Sequence, residues 1–196
     1  MALGVYLTFR ILDFPDLTVD SSFTTGGAVA AGMIVQGVNP IWASLSALAA
    51  GMLASVCTGL IHTKGKINKL LSGIIMMIAL YSINLRIMGQ RPNIPLLGEE
   101  GNVITWMKNL FPTGYSLIIA MAVVLVVIKL FIDWFLKTEI GLALRATGDN
   151  PRMIRSFGVH TDYTIILGLA LSNGLVALSG ALIAQQQGFS DAAMGI

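Results

Sequence analysis

The chain has 196 residues, of which 55% are hydrophobic and 11% are charged, and its formal net charge at pH 7 is +2. Soluble domains carry about 25% charged residues, so this composition predicts a membrane protein. The net charge is too small to indicate a nucleic-acid partner, and the single cysteine, Cys57, excludes an intrachain disulfide. No signal peptide is predicted, because the first apolar run lacks a preceding basic stretch and a cleavage site. Both ends of the sequence are expected to belong to a longer membrane subunit.

Four apolar segments are long enough to cross the hydrocarbon core of a bilayer, which takes roughly 20 helical residues. They are residues 41–62, 68–89, 113–136 and 163–187. A fifth segment, 22–37, is shorter and would reach roughly 24 Å at 1.5 Å per residue. It is either a broken or re-entrant helix or the short partner of a tilted neighbour. The predicted fold is therefore all-α, a polytopic α-helical membrane protein that forms a single domain.

Basic residues are concentrated in two connectors between these segments. Lys64, Lys66 and Lys69 lie after the segment 41–62, and the connector after 113–136 holds Lys137 and three arginines. The loop 90–112 has one lysine and one arginine against two glutamates. Cytoplasmic loops carry the excess of lysine and arginine in membrane proteins. The pattern predicts that both basic connectors are cytoplasmic and that 90–112 is external, which places 37–40 outside and 13–20 inside.

The stretch 139–158, called the docking element below, is the most hydrophilic part of the chain and is predicted to form two short helices. Residues 139–147 favour a helix, and Gly148 is expected to end it. Asn150 is the expected N-cap and Pro151 the first residue of the second helix. That helix is expected to end at Gly158.

The second helix of the docking element is amphipathic. Its apolar face carries Met153, Ile154 and Phe157, and its polar face carries Arg152, Arg155 and Ser156. One interpretation is an interfacial helix lying among anionic lipid headgroups. The other is a helix whose apolar face fills a groove on a soluble partner. The short length, the caps at both ends and the position between long spans favour docking on a partner.

Polar and small residues inside the apolar segments are candidates for a substrate path. They are Thr24, Thr25, Gly26, Gly27, Ser82, Asn84 and Asn173. Asn173 either joins helices by hydrogen bonds or faces the path, and the same alternatives hold for Ser82 and Asn84. The sequence from Thr24 to Gly27 suits a carboxylate at a broken helix, where free N–H groups bind anions, or a plain packing role.

A face of small residues repeats every four positions in the second segment. It consists of Ala43, Ala47, Gly51, Ser55 and Gly59. Small residues let helix backbones approach closely in lipid. This face is interpreted as a helix-packing surface, with the lining of a substrate path as the alternative.

Charged residues recur near the inner end of the fourth segment at Lys129, Asp133 and Lys137. They form either an ion relay, as in a secondary transporter, or side chains that pair and extend to the inner membrane surface. His62 and His160 lack partners at metal-ligand spacing. The chain has no glycine loop ending in Gly-Lys-Ser/Thr, so it is not expected to bind ATP in that way. No enzymatic activity, metal or cofactor is predicted.

Three sequence blocks carry a resemblance to a known family. The stretch "GLALRATGDNPRMIRSFGV" resembles the cytoplasmic coupling loop of ABC-transporter permeases of the branched-chain amino acid class. "ALGVYLTFRILDFPDLTVDSSFTTGGAVAA" is similar to the first block of that class, and "LALSNGLVALSGALIAQQQGFSDAAMGI" to the span after the coupling loop. "FPDLTVD" is most similar to the tryptophan/tyrosine-type permeases. The chain departs from the family at Ser21 and Thr25, where a glycine and a proline are usual.

The resemblance implies that residues 1–196 form part of an ABC importer transmembrane domain, with 139–158 as its coupling helices. The ATPase-coupling residues would then be Gly141, Arg145, Gly148, Asn150, Pro151, Arg152, Met153, Ile154, Arg155, Phe157 and Gly158. The implied function is the permease subunit of an ATP-driven importer for a small solute, an amino acid and more narrowly an aromatic one. The alternatives are an ion-coupled secondary transporter using Lys129 and Asp133, and a membrane scaffold that holds a cytoplasmic partner.

The resemblance also implies partners and a location for the chain. The partners are ABC ATPase subunits, a second permease subunit in a homo- or heterodimer, and an extracytoplasmic solute-binding protein. The implied location is the lipid bilayer of the cell membrane, crossed several times.

Overall fold

The computed structural model describes residues 1–96 and 116–195. The helices are α1 (Ala2–Tyr6), α2 (Thr18–Val35), α3 (Pro40–Thr63), α4 (Lys69–Ile87), α5 (Ser116–Phe135), α6 (Glu139–Asp149), α7 (Pro151–Ser156) and α8 (Thr161–Gln187). A π-helical turn, Leu7–Ile11, continues α1. Two short strands, β1 (Asn93–Pro95) and β2 (Phe189–Asp191), form one antiparallel pair. The predicted helical fold is confirmed, and the strand pair is an addition to it.

Three of the described helices are long and apolar enough to cross a membrane. They are α3, α4 and α8, with mean hydropathies of 1.8, 1.8 and 2.0. Their bounds match the sequence predictions within two residues. The predicted segment 113–136 corresponds to α5, and residues 113–115 lie outside the described residues, as does most of the loop 90–112.

Helix α2 is continuous over 18 residues, so the interpretation of 22–37 as a broken helix is wrong. At 1.5 Å per residue it is about 27 Å long. It begins earlier than predicted because the Thr18 N–H donates to Asp16 Oδ1 at 2.9 Å, which satisfies an N–H group at the start of the helix. The chain gains a turn of helix on the N-terminal side of the apolar run.

The centre of the molecule is a junction where α2, α3 and α8 approach without intervening side chains. A Cβ built on Gly26 would lie 1.9 Å from the Ala177 carbonyl oxygen, and one on Gly51 would lie 2.4 Å from Ala177 Cβ. A Cβ on Gly180 would lie 2.0 Å from the Phe23 carbonyl oxygen. Such contacts are possible only for glycine, and they are typical of helices that pack in lipid. Gly26, Gly51 and Ala177 are called the small-residue junction below.

The predicted packing face of α3 is confirmed as a buried surface. All five of its members are buried, and Gly51 and Gly59 contact α8. These side chains are so small that they leave the backbones of α3 and α8 in direct contact.

Both basic connectors lie at one end of the bundle, together with residues 12–17. Lys69 Nζ donates to the Asp13 carbonyl oxygen at 2.7 Å. The Phe14 ring, 1% exposed, lies edge-on to His62 with 5.3 Å between centroids. This end, formed by 12–17, 62–69 and 136–162, is called the basic end below.

The segment after α8 returns along α2 on the far side from the basic end. Strand β2 pairs with β1, and Ser190 is buried against Gly27. Further on, the Gly195 N–H donates to Thr24 Oγ1 at 3.1 Å. Residues 189–195 therefore cover the face of α2 that carries Thr24 and Gly27.

Adding one methyl group at the junction is expected to destabilise the fold. Gly26→Ala should lower the free energy of unfolding by about 1–3 kcal/mol, the usual cost of overpacking, because Cβ would meet the α8 backbone. Thermal unfolding of the purified protein in detergent measures the effect.

The matched control is Gly32→Ala on the same helix, where the nearest atoms to a built Cβ, both of Ile87, lie 4.0 Å away. This change should be neutral or stabilising, because alanine favours a helix over glycine by about 1 kcal/mol. Equal midpoints for the two variants would contradict the packing described here.

Candidate functional site

Helix α6 of the docking element is fixed to the body of the protein by glycine contacts. Thr138 Oγ1 accepts a hydrogen bond from the Gly141 N–H at 3.3 Å and caps the helix. A Cβ on Gly141 would lie 2.3 Å from the Phe135 carbonyl oxygen. The turn between α5 and α6 is therefore closed tightly, with no room for a side chain at Gly141.

The prediction that Gly148 ends this helix is wrong, because α6 continues to Asp149. A Cβ on Gly148 would lie 1.9 Å from the Ile11 carbonyl oxygen. Position 148 requires a glycine because α6 lies directly against the backbone of the π-helical turn there. The chain leaves the helix at Asn150, which has extended backbone angles, φ −151° and ψ 90°.

The buried side of α6 enters an apolar cluster at the basic end. Leu144 is fully buried and packs with Leu12, Leu136 and Leu169. A Cβ on Gly168 would lie 2.8 Å from Leu144 Cδ1. This cluster connects α6 with the π-helical turn, α5 and α8.

Helix α7 begins at Pro151 as the sequence predicts, and it ends at Ser156, two residues before the predicted end at Gly158. Asn150 Oδ1 accepts a hydrogen bond from the Met153 N–H at 3.1 Å, and Pro151 is the first helical residue. Gly158 has φ +82°, and its N–H donates to the Arg155 carbonyl at 3.0 Å. The Val159 N–H donates to the Ile154 carbonyl at 3.3 Å, which completes a Schellman motif. A helix this short keeps its shape because both ends are capped.

The outer side of α7 presents apolar side chains to its surroundings. Phe157 is 72% exposed and Met153 is 53% exposed, while Ile154 is half-buried. Arg152 and, on α6, Arg145 are also exposed. None of the residues that the structure describes covers Phe157, so its ring is available to a partner or to lipid.

Arg155 turns back onto the start of α8. Its Nε donates to Thr161 Oγ1 at 2.7 Å and its Nη2 donates to Asp162 Oδ1 at 3.1 Å. In residues 1–96 and 116–195 this is the only ion pair. Both side chains are more than half exposed, so the pair contributes at most about 1 kcal/mol. Its structural effect is to fix the direction of α7 relative to α8.

Asn173 lies in the interior of the bundle, bound to a carboxylate. It is fully buried, and its Nδ2 donates to Asp16 Oδ2 at 2.5 Å. Asp16 is 6% exposed and also accepts hydrogen bonds from the N–H and the hydroxyl of Thr18. Three donors therefore surround Asp16, and it is in no ion pair with the described residues.

The Thr24 to Gly27 stretch does not form the anion site considered above, because α2 is unbroken there. The Thr24 hydroxyl donates to the Asp20 carbonyl at 3.2 Å, and that of Thr25 donates to the Ser21 carbonyl at 2.7 Å. Gly26 and Gly27 are closed off by α8 and Ser190. These residues pack helices in the described structure.

The remaining path candidates do not share one surface. Asn84 is buried and its Nδ2 donates to the Ser21 carbonyl at 3.3 Å, the same acceptor that Thr25 uses. Ser82 is exposed on another side of α4. The structure brings Asn84 and Thr25 together but separates them from Ser82 and from the Asn173–Asp16 pair.

The expected pairing of charges on α5 is wrong for the described part of the chain. Lys129, Asp133 and Lys137 are all exposed, and none of them is in an ion pair. At four-residue spacing they share a helix face, but that face points away from the bundle. The arrangement gives no support to an ion relay through the protein.

Asp16 is the residue that the sequence interpretation missed. A local signal for it exists, because an Asp or Asn side chain often accepts a hydrogen bond from the backbone N–H two residues later. The sequence from Asp16 to Thr18 fits that pattern. Its contact with Asn173, however, joins residues far apart in the chain and has no local signature.

Comparison with known proteins gives a family match over residues 1–196, to the branched-chain amino acid transport system, permease component. The chain is 47% identical over 196 residues to the tyrosine transport system permease protein of Clostridioides difficile (strain R20291), covering 100% of this chain and 63% of the relative. It is 27% identical over 184 residues to the ribose import permease protein of Escherichia coli (strain K12), covering 93% and 56%. The chain thus spans about two thirds or less of these relatives. No solved structure matches it at a significant level.

Removing the N-cap of α7 should loosen this helix selectively. Asn150→Ala is expected to cost about 1 kcal/mol, which corresponds to roughly fivefold faster local opening. Hydrogen exchange followed by mass spectrometry should show faster exchange in residues 153–157 only.

The control is Asn39→Ala, because Asn39 caps α3 through the same kind of bond, to the Ile41 N–H at 3.0 Å. That change should leave the exchange of residues 153–157 as it is in the wild type. Unchanged exchange in Asn150→Ala would show that the cap does not maintain α7.

Proposed function

The chain belongs to the branched-chain amino acid permease family of ABC transporters, and from this membership we propose that it is part of the permease subunit of an ATP-driven importer. ATP hydrolysis takes place in separate ATPase subunits, and this chain transmits their motion to the helices around the solute. The permease lies in the cell membrane as a multi-pass protein. Because it spans only part of its relatives' length, the proposal concerns the full-length subunit.

The observation that carries the proposal is the docking element. It exposes Phe157 and Met153 on a helix that is capped at both ends, at the end of the bundle where the basic connectors meet. An exposed aromatic side chain on a rigid helix suits helix-in-groove recognition. Gly148 and Leu144 attach the element firmly, so a force on α7 reaches α8 and the π-helical turn.

An amino acid is the proposed solute, and an aromatic amino acid the narrower proposal. The support is the 47% identity, over the whole chain, to a tyrosine transport system permease protein. A sugar is the second candidate, because ribose import permease proteins are 27–29% identical over about nine tenths of the chain. The lower identity makes it the weaker candidate.

The proposed assembly has two permease subunits, two ATPase subunits and an extracytoplasmic solute-binding protein. Permeases of this kind pair because ATPase subunits act in pairs. The basic end faces the cytoplasm, since lysines and arginines favour that side. Two other functions remain as outcomes of the tests, an ion-coupled secondary transporter and a membrane scaffold.

Truncating the exposed aromatic ring should weaken ATPase binding. If Phe157 fills a groove, Phe157→Ala removes an anchor worth on the order of 2–4 kcal/mol, or roughly 30- to 1000-fold in affinity. The measurement is recovery of the ATPase with the tagged full-length permease. Arg152→Ala should have a smaller effect that fades with salt, because exposed charges are screened.

The matched control is Phe9→Ala in the π-helical turn, where the ring is 63% exposed and lies outside the docking element. Its ATPase recovery should equal that of the wild type. A helix that only lies in the membrane surface would leave recovery unchanged in both variants, and that result would refute the docking proposal.

The orientation is testable by labelling with a membrane-impermeant thiol reagent in a Cys57→Ser background. Lys66→Cys and Arg152→Cys, both at the basic end, should be protected in intact cells, and Asn93→Cys, at the start of β1, should react. Reaction of Arg152→Cys from outside would reverse the topology and remove the ATPase from reach of α7.

Uptake by proteoliposomes that hold the full transporter distinguishes solutes and energy sources. Tyrosine should accumulate with ATP inside and the binding protein outside, and ribose should not. Uptake driven by an imposed ion gradient without ATP would identify a secondary transporter, and ribose uptake would identify the sugar alternative. No uptake with intact ATPase binding would favour a scaffold.

A further inference from the structure

We propose that Asp16 is a positioning residue for transport, which joins the docking element to the small-residue junction through its bond to Asn173. The inference rests on the proposed function and assigns a role to a residue outside the docking element. The role assigned to Asp16 requires no contact with the ATPase or the solute. It acts by making α8 and residues 12–16 move as one body.

One end of this connection begins at α6. Gly148 lies directly against the Ile11 carbonyl oxygen, and Leu144 packs with Leu12 in the apolar cluster. A displacement of α6 therefore moves the π-helical turn and the residues that follow it. Because these contacts involve backbone and fully buried atoms, little of the displacement is lost in side-chain rearrangement.

Residues 13–15, which lead to Asp16, are held in place by contacts with the rest of the protein. Phe14 is 1% exposed and lies against His62, and the Phe14 N–H donates to the Thr8 carbonyl at 3.0 Å. The Asp13 carbonyl oxygen is held by Lys69 at 2.7 Å. The segment is short and fixed on both sides, so it transmits a shift instead of absorbing it.

The other end of the connection lies within one helical turn of the junction. Asn173 binds Asp16 with its side chain, while a Cβ on Gly51 would lie 2.6 Å from the Asn173 carbonyl oxygen. Ala177, one turn further along α8, contacts both Gly26 and Gly51. A displacement of Asn173 therefore moves α8 at the point where it lies closest to α2 and α3.

The bond is suited to this role because it is buried and involves a carboxylate. A hydrogen bond to a charged group is worth about 1.5–3 kcal/mol, and more is lost when its partner is left buried without one. The exposed Arg155–Asp162 pair contributes at most about 1 kcal/mol. The Asp16–Asn173 bond is therefore stronger than the Arg155–Asp162 pair, and it adds to the direct hydrogen bond between Thr147 Oγ1 on α6 and Thr164 Oγ1 on α8 at 3.1 Å.

The opposite side of Asn173 does not hinder movement of α8. Asn173 Oδ1, Ser22 Oγ and Ser55 Oγ are buried and have no partner among the described residues. Ser22 lies one turn before Gly26 and Ser55 one turn after Gly51, so both are near the level of Asn173. Sliding α8 over α2 and α3 breaks no hydrogen bond of these three atoms.

The test compares three variants of the full-length permease, assembled with its ATPase and binding protein. Asp16→Ala removes the connection. Asp16→Asn combined with Asn173→Asp reverses it, because the amide at 16 can donate to the carboxylate at 173. Asp13→Asn is the control, an equal loss of charge at an exposed residue of the same segment whose side chain makes no described hydrogen bond.

The quantity measured is solute uptake per ATP hydrolysed, together with ATPase recovery on the tagged permease. Asp16→Ala should lower uptake per ATP by roughly 10- to 100-fold, the range for losing a hydrogen bond to a charged group, with ATPase recovery unchanged. The reversed pair should restore roughly a third or more of the wild-type ratio, because the effects of substitutions at two residues in contact are usually coupled. Asp13→Asn should equal the wild type.

Two results would overturn the inference. One is a wild-type ratio in Asp16→Ala, and the other is a loss in Asp16→Ala that the reversed pair does not repair although the protein is recovered in folded form. If the Asp16→Ala protein cannot be recovered in folded form, the test rests on the reversed pair alone. The inference then requires that the reversed pair transports solute. Failure of the proposed function is seen separately, as absence of ATP-driven uptake in the wild type.

Discussion

The structure depends on the direct backbone contact of α2, α3 and α8 at the small-residue junction. In lipid, helices gain nothing from excluding water, so they are held by close van der Waals contact and by hydrogen bonds between helices. Gly26 and Gly51 make that contact possible because neither carries a Cβ. A junction of this kind has two properties that a transporter needs. It is dense, and it presents few side chains that would have to change rotamer when one helix slides past another.

The buried polar groups follow from this packing. Where backbones meet so closely, a polar side chain either bonds to a nearby carbonyl or carboxylate oxygen or is buried without a partner among the described residues. Thr25 and Asn84 share the Ser21 carbonyl, and Asn173 reaches Asp16. These bonds fix which faces of the helices meet. The residues that the sequence offered as a solute path are therefore largely parts of the helix packing, and the packing explains why polar side chains occur in apolar segments.

The sequence predicted the features that depend on neighbours along the chain. The spans follow from apolar length, the buried face of α3 from a four-residue repeat, and the ends of α7 from the chemistry of Asn150, Pro151 and Gly158. The caps were predictable because capping is a local hydrogen-bonding problem with few solutions.

Features that join distant parts of the chain could not be predicted in this way. Gly148 looked like a helix stop because glycine often is one, and only the position of Ile11 explains why α6 continues through it. The Asp16–Asn173 bond and the β1–β2 pair are likewise contacts between remote segments. The supposed pairing on α5 failed for the opposite reason, since correct spacing on a helix does not require that Lys129 and Asp133 meet.

The central claim is that the docking element and α8 move as one body. It is tested by the distance between spin labels at positions 152 on α7 and 163 on α8, both exposed, in the assembled transporter with Cys57 replaced by serine. The distance is measured without nucleotide and with ATP bound. The account predicts the same distance distribution in both states, because Arg155 and the Leu144 cluster hold the two helices together. A change approaching one helical turn, about 5 Å, would contradict it.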